Sequence, residues 1–484
     1  MKAAYFLLAM SLAATCAHAS DTEPHGRVSV VVLTNVTVID ATGAPAKPNM
    51  TVVIRGDRIA ALGRTGKVQV PKGAQVVDAT GQFVIPGLWD MHVHFRETTR
   101  SFPLFLANGV LGVRNMGDPT DDAIKWSADV ASGRLLGPRI VACGPIVDGP
   151  PPTSAEHATS VATAADGRKV VADLEKRGAD FIKVYDGIPR DAYYAIADEA
   201  KSVGIPFAGH VPNSVTAREA SDAGQKSIEH LGGILEGCST IEDELRKHAD
   251  PPIKDGDFAE FPRRIAARGE RVLTTYSEPK AAELFGRFAR NRTWQVPTLV
   301  VQYTWTFIDD LGPAASTRLR YIPQSEREWW SPTKNFLFRY RTSGFIAYRK
   351  SLFPKQLAVV NAMHRAGVPF MAGTDVSYPY SFPGFSLHDE LALFVQAGFT
   401  PMEALQTATR NPAEFLGTLD RLGTVERGKI ADLVVLDANP LEDIRNTQRI
   451  DAVVVNGRYF SKAQLRRLLA DEEAAVAARD ASGK

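Results

Sequence analysis

The sequence predicts an α/β protein, in which a (β/α)8, TIM-like barrel carries a small β-sandwich domain formed from both chain ends. Short apolar strands alternate with helical patterns over about residues 86–415, and strand-rich segments with glycine turns flank this region on both sides. The polar residues of chemical interest follow the strands of the alternating region, which is where barrels place active sites.

Composition limits the classes of function. With 484 residues, 44% of them hydrophobic, the chain can bury a large core, which excludes general disorder. Lys and Arg number 56 against 55 Asp and Glu, so no basic excess exists to hold nucleic acid or an anionic membrane. We therefore expect a small-molecule substrate and no nucleic-acid partner. The oligomeric state stays open, a homo-oligomer included.

Residues 1–19 are predicted to be a signal peptide. Lys2 precedes an apolar run, residues 3–14, that is too short to span a bilayer, and Ala17-His18-Ala19 has the small residues that a signal peptidase reads. The alternative is a buried N-terminal helix. We expect a mature chain that is secreted, periplasmic in a Gram-negative source, and not bound to the membrane after cleavage.

The predicted β-sandwich has two parts, residues 20–85 and 416–461. The first contains apolar runs such as 51–54, and the second contains 431–436 and 452–455. The remaining residues, 462–484, are rich in Ala, Glu and Arg and predict a C-terminal helix with a frayed tail.

The barrel is predicted to span residues 86–415, with an aromatic-rich insertion around 240–350. Its eight strands are expected to end at His94, Asn115, Gly144, Tyr185, His210, His230, Val301 and Asp375. Trp305, Trp329 and Trp330 lie in the insertion. A lid over the site and a helical cover with buried tryptophans are both consistent with this pattern.

Histidines follow three of the predicted strands. His92 and His94 are two residues apart, so their side chains point to the same face of a strand at a spacing suited to one ion. His210 and His230 end two successive strands, and Asp375 ends the last one. The sequence therefore predicts a metal site at the barrel mouth.

Lys183 lies among apolar neighbours, in a strand that would bury it. A buried amine is costly unless it has a role. Burial and nearby cations lower the pKa of a lysine, and the neutral amine can then take up carbon dioxide. The resulting N6-carboxylated Lys183 is an anion able to bridge two metals.

The motifs around these residues resemble those of the binuclear amidohydrolase superfamily, in its imidazolonepropionase-like and prolidase-like (Xaa-Pro or Xaa-Arg dipeptidase-like) branch. The resemblance covers nearly the whole mature chain apart from the aromatic insertion. The segments that carry it include Ile85-Pro86-Gly87-Leu88-Trp89-Asp90, Gly209-His210-Val211-Pro212, Ser227-Ile228-Glu229-His230-Leu231 and Gly373-Thr374-Asp375.

The resemblance implies two divalent metal ions. His92, His94, Asp375 and the carbamate of Lys183 would hold the first, while His210, His230 and the same carbamate would hold the second. Zinc is the expected ion for such nitrogen-rich sites. A water bridging the metals would become the hydroxide nucleophile, and Asp375 would act as general base and then as general acid toward the leaving nitrogen.

Three further residues are candidates for substrate binding. Tyr185, two past Lys183, is expected to donate to an oxyanion or a carboxylate, with barrel packing as the alternative. His157 is a candidate for meeting a substrate carbonyl, with a surface loop position as the alternative. Arg114 is expected either to pair with a substrate carboxylate or to form an internal salt bridge.

The leading hypothesis is an exported hydrolase that cleaves an amide C–N bond in a dipeptide or N-acyl amino acid. The alternatives are a mononuclear deaminase or a cyclic-imide or imidazolone hydrolase of the same superfamily, and a non-catalytic scaffold barrel. Lys183 argues against the mononuclear alternative. Cys143 and Cys238 are expected to be buried thiols, with a disulfide between them left open.

Overall fold

The structure, a computed structural model, describes residues 30–95, 98–152, 158–247, 260–311 and 313–482. The predicted signal peptide, residues 1–19, and His157 lie outside the described residues. Among the described residues, no helix is long and apolar enough to cross a bilayer.

The strands of the described residues are β1 (Val30–Val38), β2 (Lys47–Arg55), β3 (Arg58–Arg64), β4 (Gln75–Asp78), β5 (Phe83–Pro86), β6 (Leu88–Val93), β7 (Val110–Asn115), β8 (Arg139–Ala142), β9 (Ile146–Asp148), β10 (Ala158–Ser160), β11 (Ile182–Val184), β12 (Phe207–Gly209), β13 (Ser227–Glu229), β14 (Trp294–Val296), β15 (Leu433–Leu436), β16 (Ile450–Val455) and β17 (Arg458–Ser461).

The helices of the same residues are α1 (Phe102–Ala107), α2 (Asp122–Ala131), α3 (Ala164–Lys176), α4 (Arg190–Val203), α5 (Ala217–Asp222), α6 (Ile234–Gly237), α7 (Glu242–Lys247), α8 (Glu260–Thr274), α9 (Glu278–Asn291), α10 (Leu299–Phe307), α11 (Gln324–Trp330), α12 (Phe336–Arg339), α13 (Ser343–Arg365), α14 (Phe385–Gln396), α15 (Pro401–Thr407), α16 (Arg410–Phe415) and α17 (Lys462–Ser482). Two 3-10 helices span Pro313–Tyr321 and Ile444–Gln448.

Strands from both chain ends pair in one eight-stranded sheet. Its order is β17-β16-β15-β5-β1-β2-β3, and β4 also pairs with β1. The strands of the two chain ends meet at β15, which pairs antiparallel with β5 from the N-terminal part and with β16 from the C-terminal part. Leu33, Val52 and Val454 are completely buried in the core of this sheet.

The barrel strands are parallel and follow the chain order, except for β10, which pairs with the other edge of β9. They form two sheets, β6-β7-β8 and β10-β9-β11-β12-β13-β14. The sheets are linked where the Asp180 N–H donates to the Ala142 carbonyl at 2.8 Å. At the other end, Phe370 bridges Gln295 of β14. The Asp375 N–H donates to the His92 carbonyl at 2.7 Å, so the last unit lies against the first strand.

The predicted fold class, a TIM-like barrel with a small β domain, is confirmed, but the predicted end of the seventh strand is wrong. The strand β14 ends at Val296, and Val301 lies in α10. The apolar run 299–301 is buried because it forms the first turn of a helix packed against the barrel, so its composition resembles that of a strand. The eighth position is filled by residues 370–376, which pair through single bridges.

The aromatic insertion is a helical cover. Trp330 of α11 is completely buried and packs against Phe382, with ring centroids 5.5 Å apart. The long helix α13 runs from the insertion back to the barrel, and α17 from the chain end places Leu465 and Val476 in buried positions. Of the three tryptophans predicted there, only Trp329 is exposed, at 36%.

Cys143 and Cys238 are both buried and both free thiols. Burial raises the pKa of each thiol to about 12, so neither is a reactive thiolate at neutral pH. The disulfide left open by the sequence is absent from the described residues.

Candidate metal centre

Strand ends bring the predicted ligands together at the barrel mouth. The Nε2 atoms of His92 and His94 each lie 3.4 Å from Oδ1 of Asp375. The His230 ring lies 4.5 Å from that of His92 and 4.9 Å from that of His210, measured between centroids. Ligand atoms of His92, His230 and Asp375 lie within 4.8 Å of one another. This group joins members of the two predicted metal sites.

Each of the four histidines is oriented through its Nδ1 atom. His92 Nδ1 is 2.8 Å from Oε2 of Glu229, and His94 Nδ1 donates to the Gly117 carbonyl at 2.7 Å. His210 Nδ1 is 2.9 Å from Oδ1 of Asp186, and His230 Nδ1 is 2.8 Å from Oγ1 of Thr298. Because Nδ1 of each ring is occupied by these contacts, Nε2 is the atom that can bind a metal.

The backbone bends sharply at two of these ligands. His230 has φ 59° and Asp375 has φ 55°, both in the left-handed region that is uncommon for residues with a Cβ atom. His230 stands directly past the end of β13, and Asp375 directly precedes Val376, which bridges Val93 of β6. Such strain is concentrated at functional sites.

Lys183 is completely buried on β11, and its Nζ atom has no hydrogen-bond partner among the described residues. Burial lowers the pKa of this amine. Gly209 of the neighbouring strand makes room for the side chain, because a Cβ there would lie 3.0 Å from Cδ of Lys183 and 2.2 Å from the Val184 carbonyl oxygen. The amine is thus accommodated but unsatisfied.

Several of the predicted ligands are in their deprotonated forms at neutral pH. Burial lowers the pKa of His230 to about 3 and that of His92 well below its ordinary value. Neutral imidazoles are the form that binds metal. Burial acts to raise the pKa of Asp375, but His230, His94 and Lys183 hold it below its ordinary value, so this residue is a carboxylate.

The donors fit a divalent metal centre. Among the described residues, His92 Nε2 and Lys183 Nζ are buried polar atoms without a hydrogen-bond partner, and a nitrogen-rich set with one carboxylate suits zinc or a similar ion.

Arg114 does not reach the mouth. Its completely buried guanidinium donates to the Met91 carbonyl at 2.7 Å, to Oγ of Ser227 at 2.9 Å and to Oε1 of Glu229 at 2.9 Å. Of the two arrangements expected for Arg114, the internal salt bridge is the one observed. Each of its three guanidinium nitrogens donates to a buried acceptor beneath the site.

Tyr185 lies beside the predicted second metal site. Its ring is 4.0 Å from that of His210, and Nζ of Lys183 is 5.7 Å from its centroid. Burial raises the pKa of its hydroxyl, so it remains a hydrogen-bond donor at neutral pH.

The sequence analysis missed the residues that hold the ligands. Glu229, Asp186 and Thr298 each fix one histidine, and Glu390 holds the helix that carries Thr298. Of these residues, only Glu229 could have been recognised from the sequence. It is an acidic residue inside the apolar strand that leads to His230, and such a residue requires a buried partner.

Asp90 links the first and last units of the barrel. Its Oδ1 accepts from the Thr374 N–H at 3.0 Å, and its Oδ2 accepts from Oγ1 of Thr374 at 2.6 Å. Burial raises the pKa of this carboxyl group to about 7. The contact fixes the strand of His92 beside the segment of Asp375.

The family profile of the amidohydrolases, described as "Amidohydrolase family", matches residues 83–459. The chain belongs to this family. It is therefore a hydrolase with a barrel fold of the kind predicted, and the family as a whole generally uses divalent metals.

Individual relatives agree with the predicted branch. An imidazolonepropionase of Anaeromyxobacter sp. (strain K) is 24% identical over 474 residues, which cover 90% of this chain and 97% of that protein. A solved Xaa-Pro dipeptidase with bound methionine is 22% identical, with a TM-score of 0.64 over 90% of this chain and all of that one. The bottromycin amidohydrolase AH is 24% identical, with a TM-score of 0.73 over 92% and 90%.

Proposed function

We propose that this amidohydrolase is an exported, binuclear metal-dependent enzyme that cleaves the amide C–N bond of a dipeptide or an N-acyl amino acid. One observation carries the proposal. Four histidines fixed through Nδ1 converge with Asp375 around a completely buried lysine whose amine has no partner. A single metal would not need that lysine.

The residues divide into two ligand sets. His92, His94 and Asp375 would hold one ion, and His210 and His230 would hold the other, with N6-carboxylated Lys183 shared between them. Two bound cations supply Lewis-acid activation of the attacking water and of the scissile carbonyl. Zinc is the ion that this donor set favours.

Asp375 moves the proton. Because its pKa is held low, it is ionised and can accept the proton of the attacking water. Oδ1 of its carboxylate lies 3.4 Å from Nε2 of both His92 and His94, so it stands beside the predicted ligands, where the attacking water would be held. Returning that proton to the leaving nitrogen completes the cleavage of the C–N bond.

Tyr185 would stabilise the carbonyl oxygen as negative charge develops on it. Its hydroxyl stays protonated, and its ring is held against His210 of the predicted second metal set. His157 remains a second candidate for this contact from the loop outside the described residues.

A small cavity of about 70 Å³ opens beside His94. Phe95, Leu104, Tyr321 and Pro383 supply apolar walls, and Arg100 is the basic side chain among its lining residues. This space would receive a small apolar side chain or acyl group of the substrate.

A cyclic amide is the second candidate substrate, because an imidazolonepropionase matches over nearly the whole chain. That reaction belongs to the mononuclear alternative, which has no use for a buried bridging lysine. The metal content of the active enzyme separates the two alternatives.

We also propose that residues 1–19 direct export and that the mature protein is periplasmic in a Gram-negative source. Expression of the full chain should yield a periplasmic protein whose first residue is Ser20. A cytoplasmic protein that retains residues 1–19 would contradict this.

A substrate screen tests the proposed reaction. Protein loaded with zinc and bicarbonate should hydrolyse at least one class among dipeptides, N-acyl amino acids and aryl amides, and a chelator should abolish the activity. Cyclic imides and imidazolones serve as the comparison set. Turnover of cyclic substrates alone would favour the second candidate, and no turnover of either set would contradict the proposal.

A further inference from the structure

Arg349 of α13 is a buried cation without a counter-ion. Only 4% of its surface is exposed, and no carboxylate of the described residues lies within ion-pair distance. Its Nη2 atom donates to the Gln302 carbonyl and to Oε1 of Gln302, both at 3.1 Å, while Nε has no partner. Burial lowers the pKa of this guanidinium to about 10, so it is still charged at neutral pH.

Two more unpartnered donors belong to the same cluster. The Trp305 ring lies 5.2 Å from the Arg349 guanidinium, and the indole Nε1 is buried without an acceptor. The buried hydroxyl of Tyr378 also has no hydrogen-bond partner among the described residues, and the charge of Arg349 lies close enough to act on the pKa of that hydroxyl. We call Arg349, Trp305 and Tyr378 the donor cluster.

A second arginine, Arg341, lies next to the donor cluster. Arg341 donates to the Trp305 carbonyl at 3.5 Å, and its guanidinium lies 5.5 Å from the Phe338 ring, which in turn packs 6.4 Å from the ring of Tyr378. Arg341 is paired with Asp309, so its charge is compensated. Arg349 is therefore the cation of this region that lacks an acidic partner among the described residues.

The donor cluster adjoins the metal centre. Tyr378 is three residues past Asp375, and its N–H donates to the Asp375 carbonyl at 2.7 Å. Burial raises the pKa of its hydroxyl, and the nearby Asp375 and Tyr185 act in the same direction. Trp305 lies on α10, the helix that begins directly after Thr298, the partner of His230. The donor cluster is therefore linked to the predicted metal centre at two places, through the segment from Asp375 to Tyr378 and through the start of α10.

We propose that the donor cluster binds a carboxylate of the substrate, with Arg349 as the charged donor and the Tyr378 hydroxyl and Trp305 indole as neutral donors. This inference rests on the proposed amide hydrolysis and assigns the residues that recognise the free carboxylate that dipeptides and N-acyl amino acids share. Burying a cation and several donors without acceptors is costly, and a bound carboxylate would supply a counter-ion for Arg349 and acceptor oxygens for neighbouring donors.

Binding of benzoate, with benzamide as its neutral counterpart, tests the site without turnover. Metal-loaded wild type should bind benzoate, and Arg349→Met should bind it about ten-fold or more weakly, as expected for loss of a charge-assisted hydrogen bond. Tyr378→Phe removes only a hydroxyl and should weaken benzoate by a smaller factor. Arg268→Met is the matched control, because Arg268 is half-buried in the insertion but already paired with Glu236.

Turnover gives the second readout. The substrates compared are an N-acyl amino acid and its carboxamide. Arg349→Met should lower kcat/KM for the acid about ten-fold relative to kcat/KM for the carboxamide, chiefly by raising KM for the acid. An equal effect on acid and carboxamide, or equal loss of benzoate and benzamide binding, would overturn the inference and leave Arg349 a structural residue. If wild type hydrolyses no amide but binds benzoate through Arg349, the proposed reaction fails while the anion site stands.

Discussion

Glu229 connects the metal centre to the interior of the barrel through one carboxylate. Oε2 holds Nδ1 of His92, while Oε1 accepts from Arg114 and from Oγ of Ser227 at 2.5 Å. The four side chains are completely buried, with no exposure to solvent: His92, Arg114, Ser227 and Glu229. The orientation of a predicted metal ligand therefore depends on a buried ion pair beneath the site.

Glu229→Gln keeps the shape of this residue and removes its charge. Arg114 would then be a buried cation without a counter-ion, which costs about 3 kcal/mol or more in the free energy of unfolding. Metal affinity should fall about 10-fold to 100-fold, because His92 loses its orienting carboxylate. Denaturant unfolding and metal titration measure the two effects, and Glu283→Gln, at an exposed position, is the control. Unchanged stability and metal affinity would exclude this role.

Asp375→Asn removes the proposed proton acceptor with little change in size. Turnover should fall by about two orders of magnitude or more, as for loss of a general base. Folding should be little changed, which circular dichroism and thermal unfolding can check. Turnover like that of the wild type would show that another group moves the proton.

At the scale of elements, α10 positions a ligand. The carboxylate of Glu390, on α14, accepts from the N–H groups of Leu299 and Val300 at 2.9 and 2.7 Å and so holds the first turn of α10. Thr298, the residue before that turn, contacts Nδ1 of His230. Position and orientation of His230 therefore depend on two helices as well as on its own strand.

Glu390 predicts a pH dependence of stability. Burial raises its pKa to about 8 from 4.5, so the folded protein binds this proton more tightly than the unfolded chain does. The contribution to stability is complete below pH 4.5 and is lost as pH rises toward 8, by up to about 1.4 kcal/mol per pH unit.

Glu390→Gln cannot titrate and should lose this dependence. The difference in free energy of unfolding between wild type and the variant, measured in urea, should fall between about pH 5 and pH 8. Glu283→Gln, carried through the same series, should follow the wild type. Parallel curves for wild type and Glu390→Gln would show that the carboxyl group titrates normally.

Strand positions and ligands could be predicted where the sequence has a local period. His92 and His94 stand two apart in a strand, and Lys183 stands among apolar residues, so both were found without a structure. The run 299–301 misled because a buried first helical turn and a buried strand have the same apolar composition. Partners such as Glu390, which acts from α14 on α10, lie far apart in the chain and have no local pattern.

At the scale of the whole molecule, closure of the barrel assembles the site. Asp90 and Thr374 are 284 positions apart in the chain, yet their side chains meet at 2.6 Å and fix His92 beside Asp375. Arg139 of the barrel donates to Asp432 next to β15, which joins the barrel to the sheet formed by both chain ends. Sequence order predicted this assembly because parallel strands in a barrel end at one face.

Lys183 decides whether the assembled site is binuclear. Lys183→Ala should bind fewer metal ions and be nearly inactive, and a short carboxylic acid such as acetate should restore part of its activity by replacing the carbamate. Lys183→Arg should also be inactive, since arginine stays protonated and forms no carbamate. Normal activity of Lys183→Arg would show that only a positive charge is needed.

The number of metal ions bound per chain in the active enzyme tests the central claim most directly. Protein prepared with zinc and bicarbonate, analysed by elemental mass spectrometry beside its activity, should hold about two ions per chain. Activity should disappear with the ions on chelation and return when they are restored. Full activity in protein verified to be free of metal, or full activity with about one ion per chain, would contradict the binuclear account.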